Sequence, residues 1–312
     1  MKAGNPINHH YVPRVYLKQF ANSDSRFYQL CKQYRGVSEK HVSQVCYVKD
    51  YFKILREESK LFKGIVDDYY IEKNAFTLQE NSLPTLISLI SQEQESLFEI
   101  ERSQLEILIG TLVTIKRRNP IVRDALTRAV RKEASQGIFE RYFEPYMELA
   151  WHIDKVDPMI FINKIKEDFI NKPLHAEDLY VNSFIEKRST IVQNITNLLL
   201  ASKIQVFHAP IGHIFFTSDN PGFIKSGNEI VNFEGLGDPF LFVFPITSKA
   251  CIIIDSRYPS NHFGDQISIT PIDCTIEQID FINSETCRIA NKKIFSSDKD
   301  YLEKFKKRFM KG

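Results

Sequence analysis

"KIQVFHAPIGHIFFTSDNP", Lys203 to Pro221, is where the pattern of the chain changes. Upstream of it, apolar residues recur every three or four positions. Here they gather in short runs rich in Val, Ile and Phe, punctuated by Gly, Pro and Asp. "EIVNFEG" (229–235), "FLFVFPIT" (240–247) and "ACIIIDS" (250–256) continue in the same manner. These runs read as a sheet of about four or five strands, mostly antiparallel because several connections are short.

Working back from there, Ala176 to Ser202 reads as a helix with Tyr180, Phe184, Ile191, Ile195 and Leu198 along one face. A shorter helix is expected over Pro158 to Ile170, and another from Pro120 toward Trp151. "SQLEILIGTLVTIKRRNP" (103–120) is nearly apolar all round, the pattern of a central, enclosed helix. Ile71, Ala75, Leu78, Leu83, Leu86, Ile87 and Ile90 predict one long amphipathic helix, kinked or split at Pro84. Before it, "RFYQLCKQ" (26–33) reads as a short strand and the stretch from Val37 to Ile54 as a second β or mixed element. Downstream, the tail returns to helix from about Thr275, with Ile279, Ile282 and Ile289 inward.

The fold class that follows is α+β: a helical middle packed on a small, mostly antiparallel sheet from the C-terminal half, which the N-terminal segment joins. A single domain is expected over 1–312: an N-terminal motif with short strands (1–65), a helical region (66–203), a β region (204–274) and C-terminal helices (275–312).

The apolar fraction of 43% and the charged fraction of 26% are those of an ordinary globular chain. A formal charge of +2 gives no global argument for nucleic acid. Cys31, Cys46, Cys251, Cys274 and Cys287 show no metal-finger spacing and read as small core residues. With no secretory leader and no apolar run of the roughly 20 residues that span a bilayer, a reduced, cytoplasmic protein is expected, with no membrane partner.

Three blocks carry a resemblance. "NHHYVPRVYLKQFA" (8–21), "IEKNAFTLQENSLPTLISLI" (71–90) with "TIKRRNP" (114–120), and "FFTSDNPG" (215–222) with "FVFPITSKACIII" (242–254) occur in order along the chain. They resemble the bacterial family known as domain of unknown function 4238. The family brings no established activity to transfer. The resemblance implies a shared fold and marks His9, His10, Pro13, Tyr16, Leu17, Phe20, Glu72, Glu80, Arg118 (or Arg117 in its place), Ser218, Asp219, Asn220 and Pro221.

Several of these carry chemistry. A neutral imidazole can bind a divalent metal or act as a general base. Adjacent residues of an extended segment point to opposite sides, so His9 and His10 are not expected to ligate one metal together. Asp219 and Asn220 close a strand, where ligand groups often sit, yet Asp-Asn-Pro is equally a turn former whose carboxylate accepts backbone N–H groups. Glu72 and Glu80 lie two turns apart on the expected helix and read as a shared cleft or as a solvated face. Arg117 and Arg118 suit a helix C-terminus through the macrodipole. Arg123, Arg128 and Arg131 continue a basic stretch that would attract phosphates. No Walker A loop, GxGxxG, GxSxG or HExxH occurs, and no nucleotide cofactor is indicated.

Two functions are therefore expected in competition. One is a metal-dependent hydrolase, in its most specific form a nuclease and a toxin-like or phage-defence effector. It would use His9 or His10, Asp219 and Asn220, helped by Glu72 or Glu80 and Arg118. Mg²⁺, Mn²⁺ or Zn²⁺ would sit on His10, Asp219 and Glu72, and nucleic acid or another phosphate-bearing ligand on Arg117, Arg123, Arg128 and Arg131. The other is a non-catalytic binding or interaction module whose His/Asp/Arg/Glu cluster is a structural polar network. Pairing and access discriminate between them.

Overall fold

The computed structural model describes residues 7–34, 36–54, 67–92, 96–135, 180–181, 184, 190–231 and 239–309. The chain forms two compact units, one of Met1–Tyr51, Phe76–Asn119 and Arg188–Gly312, the other of Phe52–Ala75 and Pro120–Lys187.

The first unit begins with strand β1 (Asn8–His10), the short helix α1 (Arg14–Leu17), and strands β2 (Arg26–Cys31), β3 (Val37–His41) and β4 (Tyr47–Lys49). Helix α2 (Thr77–Ile90), strand β5 (Phe98–Glu101) and helix α3 (Arg102–Arg117) follow. Helix α4 (Pro120–Ser135) belongs to the second unit, and the first resumes with α5 (Thr190–Leu200). Strands β6 (Ser202–His208), β7 (Thr217–Ser218), β8 (Phe223–Ser226), β9 (Glu229–Val231), β10 (Phe240–Pro245), β11 (Ala250–Pro259), β12 (His262–Phe263) and β13 (Gln266–Asp273) come next. Helix α6 (Ile276–Ile289), strand β14 (Lys293–Ser296) and helix α7 (Lys299–Phe309) end the described chain.

The fold is α+β, with a large, mostly antiparallel sheet in the C-terminal half. Its eight strands run β12-β13-β6-β11-β10-β8-β9, with β5 also paired to β13. The β6–β13 pair is parallel. The sheet is larger than its sequence signal because β13 is half polar and carries Pro271, which weakens a strand reading. Only Ile267 and Ile269 of that strand reach the core.

The N-terminal strands do not extend this sheet. β2 and β3 instead form a separate four-stranded sheet, β3-β2-β14-β7, and β1 pairs with β4 alone. Strand β14, hidden between two helical patterns, supplies the missing partner for β2.

One apolar cluster joins α1, α2 and α3 to the large sheet. It includes Tyr16 and Leu17, Leu83 and Ile87, Leu108 and Leu112, and Val206, Phe244 and Ile252. Helix α3 is buried on every side from Leu108 onward, as its apolar pattern requires. The break expected at Pro84 falls elsewhere. A π-helical turn, Ile71–Ala75, ends before α2 begins, and α2 runs through the proline with Leu83 and Ile87 anchored in the core. On α5 the buried stripe runs through Thr196, Leu199 and Leu200, leaving Leu198 40% exposed. The helix expected over Pro158 to Ile170 lies outside the described residues.

In the second unit Phe184 packs edge-on against Phe52 and Tyr180, and Arg123 lies over the Tyr180 ring. Every described cysteine is free, and all but Cys31 are buried. Among the described residues no helix is long and apolar enough to cross a membrane.

Candidate functional site

The end of α3 is the focus. Because the helix is enclosed, its basic C-terminal run is enclosed with it: Lys116, Arg117, Arg118 and Asn119 are each at most 3% exposed. Desolvating so many polar groups requires partners, and the other two sequence blocks provide several.

Lys116 Nζ donates to Asn220 Oδ1 and to the Gly222 carbonyl, both at 2.7 Å. Asn119 Nδ2 donates to the Asp219 carbonyl at 2.7 Å. Asn220 completes its amide by donating Nδ2 to the Ile289 carbonyl. The Asp219 carboxylate accepts three successive backbone N–H groups where the chain passes from α6 into β14: Asn291 at 2.9 Å, Lys292 at 2.9 Å and Lys293 at 3.1 Å. Burial raises the Asp219 pKa above the usual carboxylate range, while those N–H groups act in the opposite direction. Burial also lowers the Lys116 pKa to about 7, with Asp219 opposing. Asp219, Asn220, Lys116 and Asn119 thus hold helix α3, the Ser-Asp-Asn-Pro turn and the 289–293 segment together.

The turn depends on Gly222. Its φ is +70°, and a Cβ there would lie 2.3 Å from Phe244 Cδ2. Before the turn, the Thr217 hydroxyl shares a 2.8 Å hydrogen bond with the Tyr16 hydroxyl, which also donates to the Pro245 carbonyl at 2.7 Å. The opening and third blocks therefore meet across 201 residues of sequence.

The two histidines separate as an extended strand requires. His9 is completely buried, whereas His10 is half-buried. Burial, with the nearby Arg14 guanidinium, lowers the His10 pKa to about 4, while Glu80 acts the other way. The imidazole is neutral at pH 7. Its Nε2 is buried and has no hydrogen-bond partner among the described residues. Glu80 is 28% exposed and accepts from Arg118 Nη1 at 2.8 Å. Arg118 in turn lies 3.4 Å over the Phe76 ring. Arg118 is 2% exposed, and its guanidinium fixes the part-exposed Glu80 carboxylate. Of these groups, His10 and Glu80 keep part of their surface and Arg14 is exposed.

Glu72 is on the π-helical turn of the second unit. Arg117 is inside, Arg123 is half-buried and Arg128 is exposed on α4; the side chain of Arg131 lies outside the described residues. Among the described residues no group of three or more His, Cys, Asp or Glu is placed to hold a metal ion. Sequence reading marked Tyr16 but did not place Lys116 and Asn119 in this network. The signal for those two was present, since a helix apolar on every face buries its polar end as well.

A family model described as "Protein of unknown function (DUF4238)" matches residues 8–300. No curated protein and no solved structure matches the chain.

Proposed function

The chain belongs to the DUF4238 family, and from that premise we propose that it is a hydrolase of phosphodiesters, in its most specific form a nuclease, worked by His10, Glu80 and Arg14. The observation that carries this reading is the unpartnered, buried Nε2 of a neutral His10 beside a part-exposed carboxylate fixed by Arg118. In the proposed step a water oxygen bonds to phosphorus as its proton passes to His10 Nε2. The bond to the leaving oxygen breaks, and that oxygen takes the proton back. Glu80 orients the water, and Arg14 neutralises charge developing on the phosphoryl oxygens. An imidazole with a pKa of about 4 is a weak base, so a water of lowered pKa suits it. A divalent metal would supply that, held by Glu80 together with substrate phosphate oxygens.

Labelled single-stranded and duplex RNA and DNA, with EDTA, Mg²⁺, Mn²⁺ or Zn²⁺, test this reading. Cleavage that falls by about 100-fold or more in His10→Ala and Glu80→Gln is expected. No cleavage by the wild-type protein under any of these conditions, or equal cleavage by the variants, would sink it.

The second reading, a non-catalytic interaction module, is favoured by one observation: Asp219, Asn220, Lys116 and Asn119 all bond to one another or to backbone. Its ligand surface would be the exposed basic face of α4, with Arg128 and Lys132. Nucleic-acid binding whose salt dependence flattens in Arg128→Glu with Lys132→Glu, without turnover, would support it. Unchanged salt titrations would remove it.

A further inference from the structure

The two-stranded ribbon of β1 and β4 presents one face beside His10. Its register pairs His10 with Tyr47 and Asn8 with Lys49, so these four side chains share that face. His9 and Val48 take the other. The Tyr47 ring centroid lies 5.6 Å from that of His10, tilted by 52°. Tyr47 is 41% exposed, and Asn8 and Lys49 are exposed beside it. Cys46, at φ +55°, turns the chain immediately before Tyr47 while its carbonyl accepts the Tyr11 N–H.

An exposed tyrosine on a short strand is by itself ordinary β-propensity. What distinguishes Tyr47 is its company: a neutral imidazole, an amide and the Lys49 cation on one face of the ribbon, with the Arg14 cation near His10. An aromatic platform flanked by cations and a hydrogen-bonding amide matches a nucleotide, which offers a π-face, polar base edges and a phosphate within one small molecule. We propose that Tyr47 is the base-stacking platform of the site and that the substrate is a nucleotide unit, its base on Tyr47 and its phosphate toward His10 and Arg14. This rests on the phosphodiester reading of His10 and Glu80 and adds the substrate class. Asn8 is placed to bond a base edge, and Lys49 to meet a neighbouring phosphate.

The test is calorimetric titration of the full chain with adenosine 5′-monophosphate, ribose 5-phosphate and inorganic phosphate. Wild-type protein is expected to bind the nucleotide about 10- to 100-fold more tightly than ribose 5-phosphate, the range of one base stacked on one aromatic ring. Tyr47→Ala should bring the nucleotide down to the ribose 5-phosphate affinity and leave ribose 5-phosphate unchanged. Tyr47→Phe should restore the preference, and Tyr47→Leu, which keeps apolar bulk against His10 without a π-face, should not. Equal wild-type affinities for nucleotide and ribose 5-phosphate would overturn the stacking role alone. So would a Tyr47→Ala loss equal for both ligands, since that is the mark of packing against His10. Wild-type protein that binds none of the three overturns the phosphodiester site and this inference with it. Circular dichroism of each variant separates a lost platform from a lost fold.

Discussion

Lys116 donates from a nearly waterless position to Asn220, 104 residues away, at 2.7 Å. The bond ties the end of the central helix to a turn at the edge of the second sheet. It also keeps a buried amine with a pKa near 7 inside the first unit.

That amine makes stability depend on pH. Its pKa is 10.5 in the unfolded chain and about 7 in the folded one. Between those values the unfolded chain binds a proton that the folded chain does not. Stability from Lys116 is therefore complete above the unfolded pKa and is lost as pH falls through 7. Urea denaturation of wild type and Lys116→Met should show a stability difference that moves in favour of wild type from pH 7 to 9. The expected movement is on the order of 2 kcal/mol, from ~1.4 kcal/mol per pKa unit. A difference independent of pH would show that Lys116 keeps an ordinary pKa.

Asp219→Asn replaces an oxygen by an amide nitrogen against backbone donors that now meet two carboxylate oxygens. At least one buried N–H loses its acceptor, for an expected loss of roughly 1–3 kcal/mol. The 291–293 amides should exchange faster with solvent. Unchanged stability and exchange would contradict the structural role assigned here.

His10 should stay neutral well into the acid range. In an NMR titration its ring resonances should be flat from pH 8 to 5.5 and move only as pH approaches about 4. Its folded pKa lies below the 6.5 of the unfolded chain, so its contribution to stability is present above 6.5 and is lost as pH falls toward 4. A midpoint near 6.5 would mean that the imidazole is solvated.

Gly222→Ala combines a left-handed backbone with a Cβ driven into Phe244. The two penalties together are about 2–5 kcal/mol. Thermal unfolding of Gly222→Ala and of Gly222→Ala with Phe244→Leu would separate them, because the smaller side chain relieves only the clash. A variant as stable as wild type would show that the turn has moved.

Much of the framework was legible because it follows from local periodicity. The all-round apolar character of Leu105 to Ile115 made α3 a central helix, and the Val, Ile and Phe runs after Lys203 made the sheet. The α+β class followed from their order, and so did the opposite facing of His9 and His10. What escaped was long-range pairing. β14 is four residues with no lasting pattern, and it becomes a strand only because β2 and β7 lie on either side of it. β13 carries a proline and polar residues that only its place beside β6 makes acceptable.

The same division holds within the site. The sequence determined which groups were available: a histidine pair, a Ser-Asp-Asn-Pro turn and a cationic helix end. It left each with a functional and a structural reading, because a carboxylate that accepts N–H groups and one that faces a ligand have the same neighbours in sequence. Only the tertiary structure decided that Asp219 meets the 291–293 backbone, that Arg118 pairs with Glu80, and that His9 is buried while His10 keeps part of its surface. Hydrogen bonds and burial depend on distance in space, and bonds such as Asn119 to Asp219, 100 residues apart, exist only once the chain has closed around them.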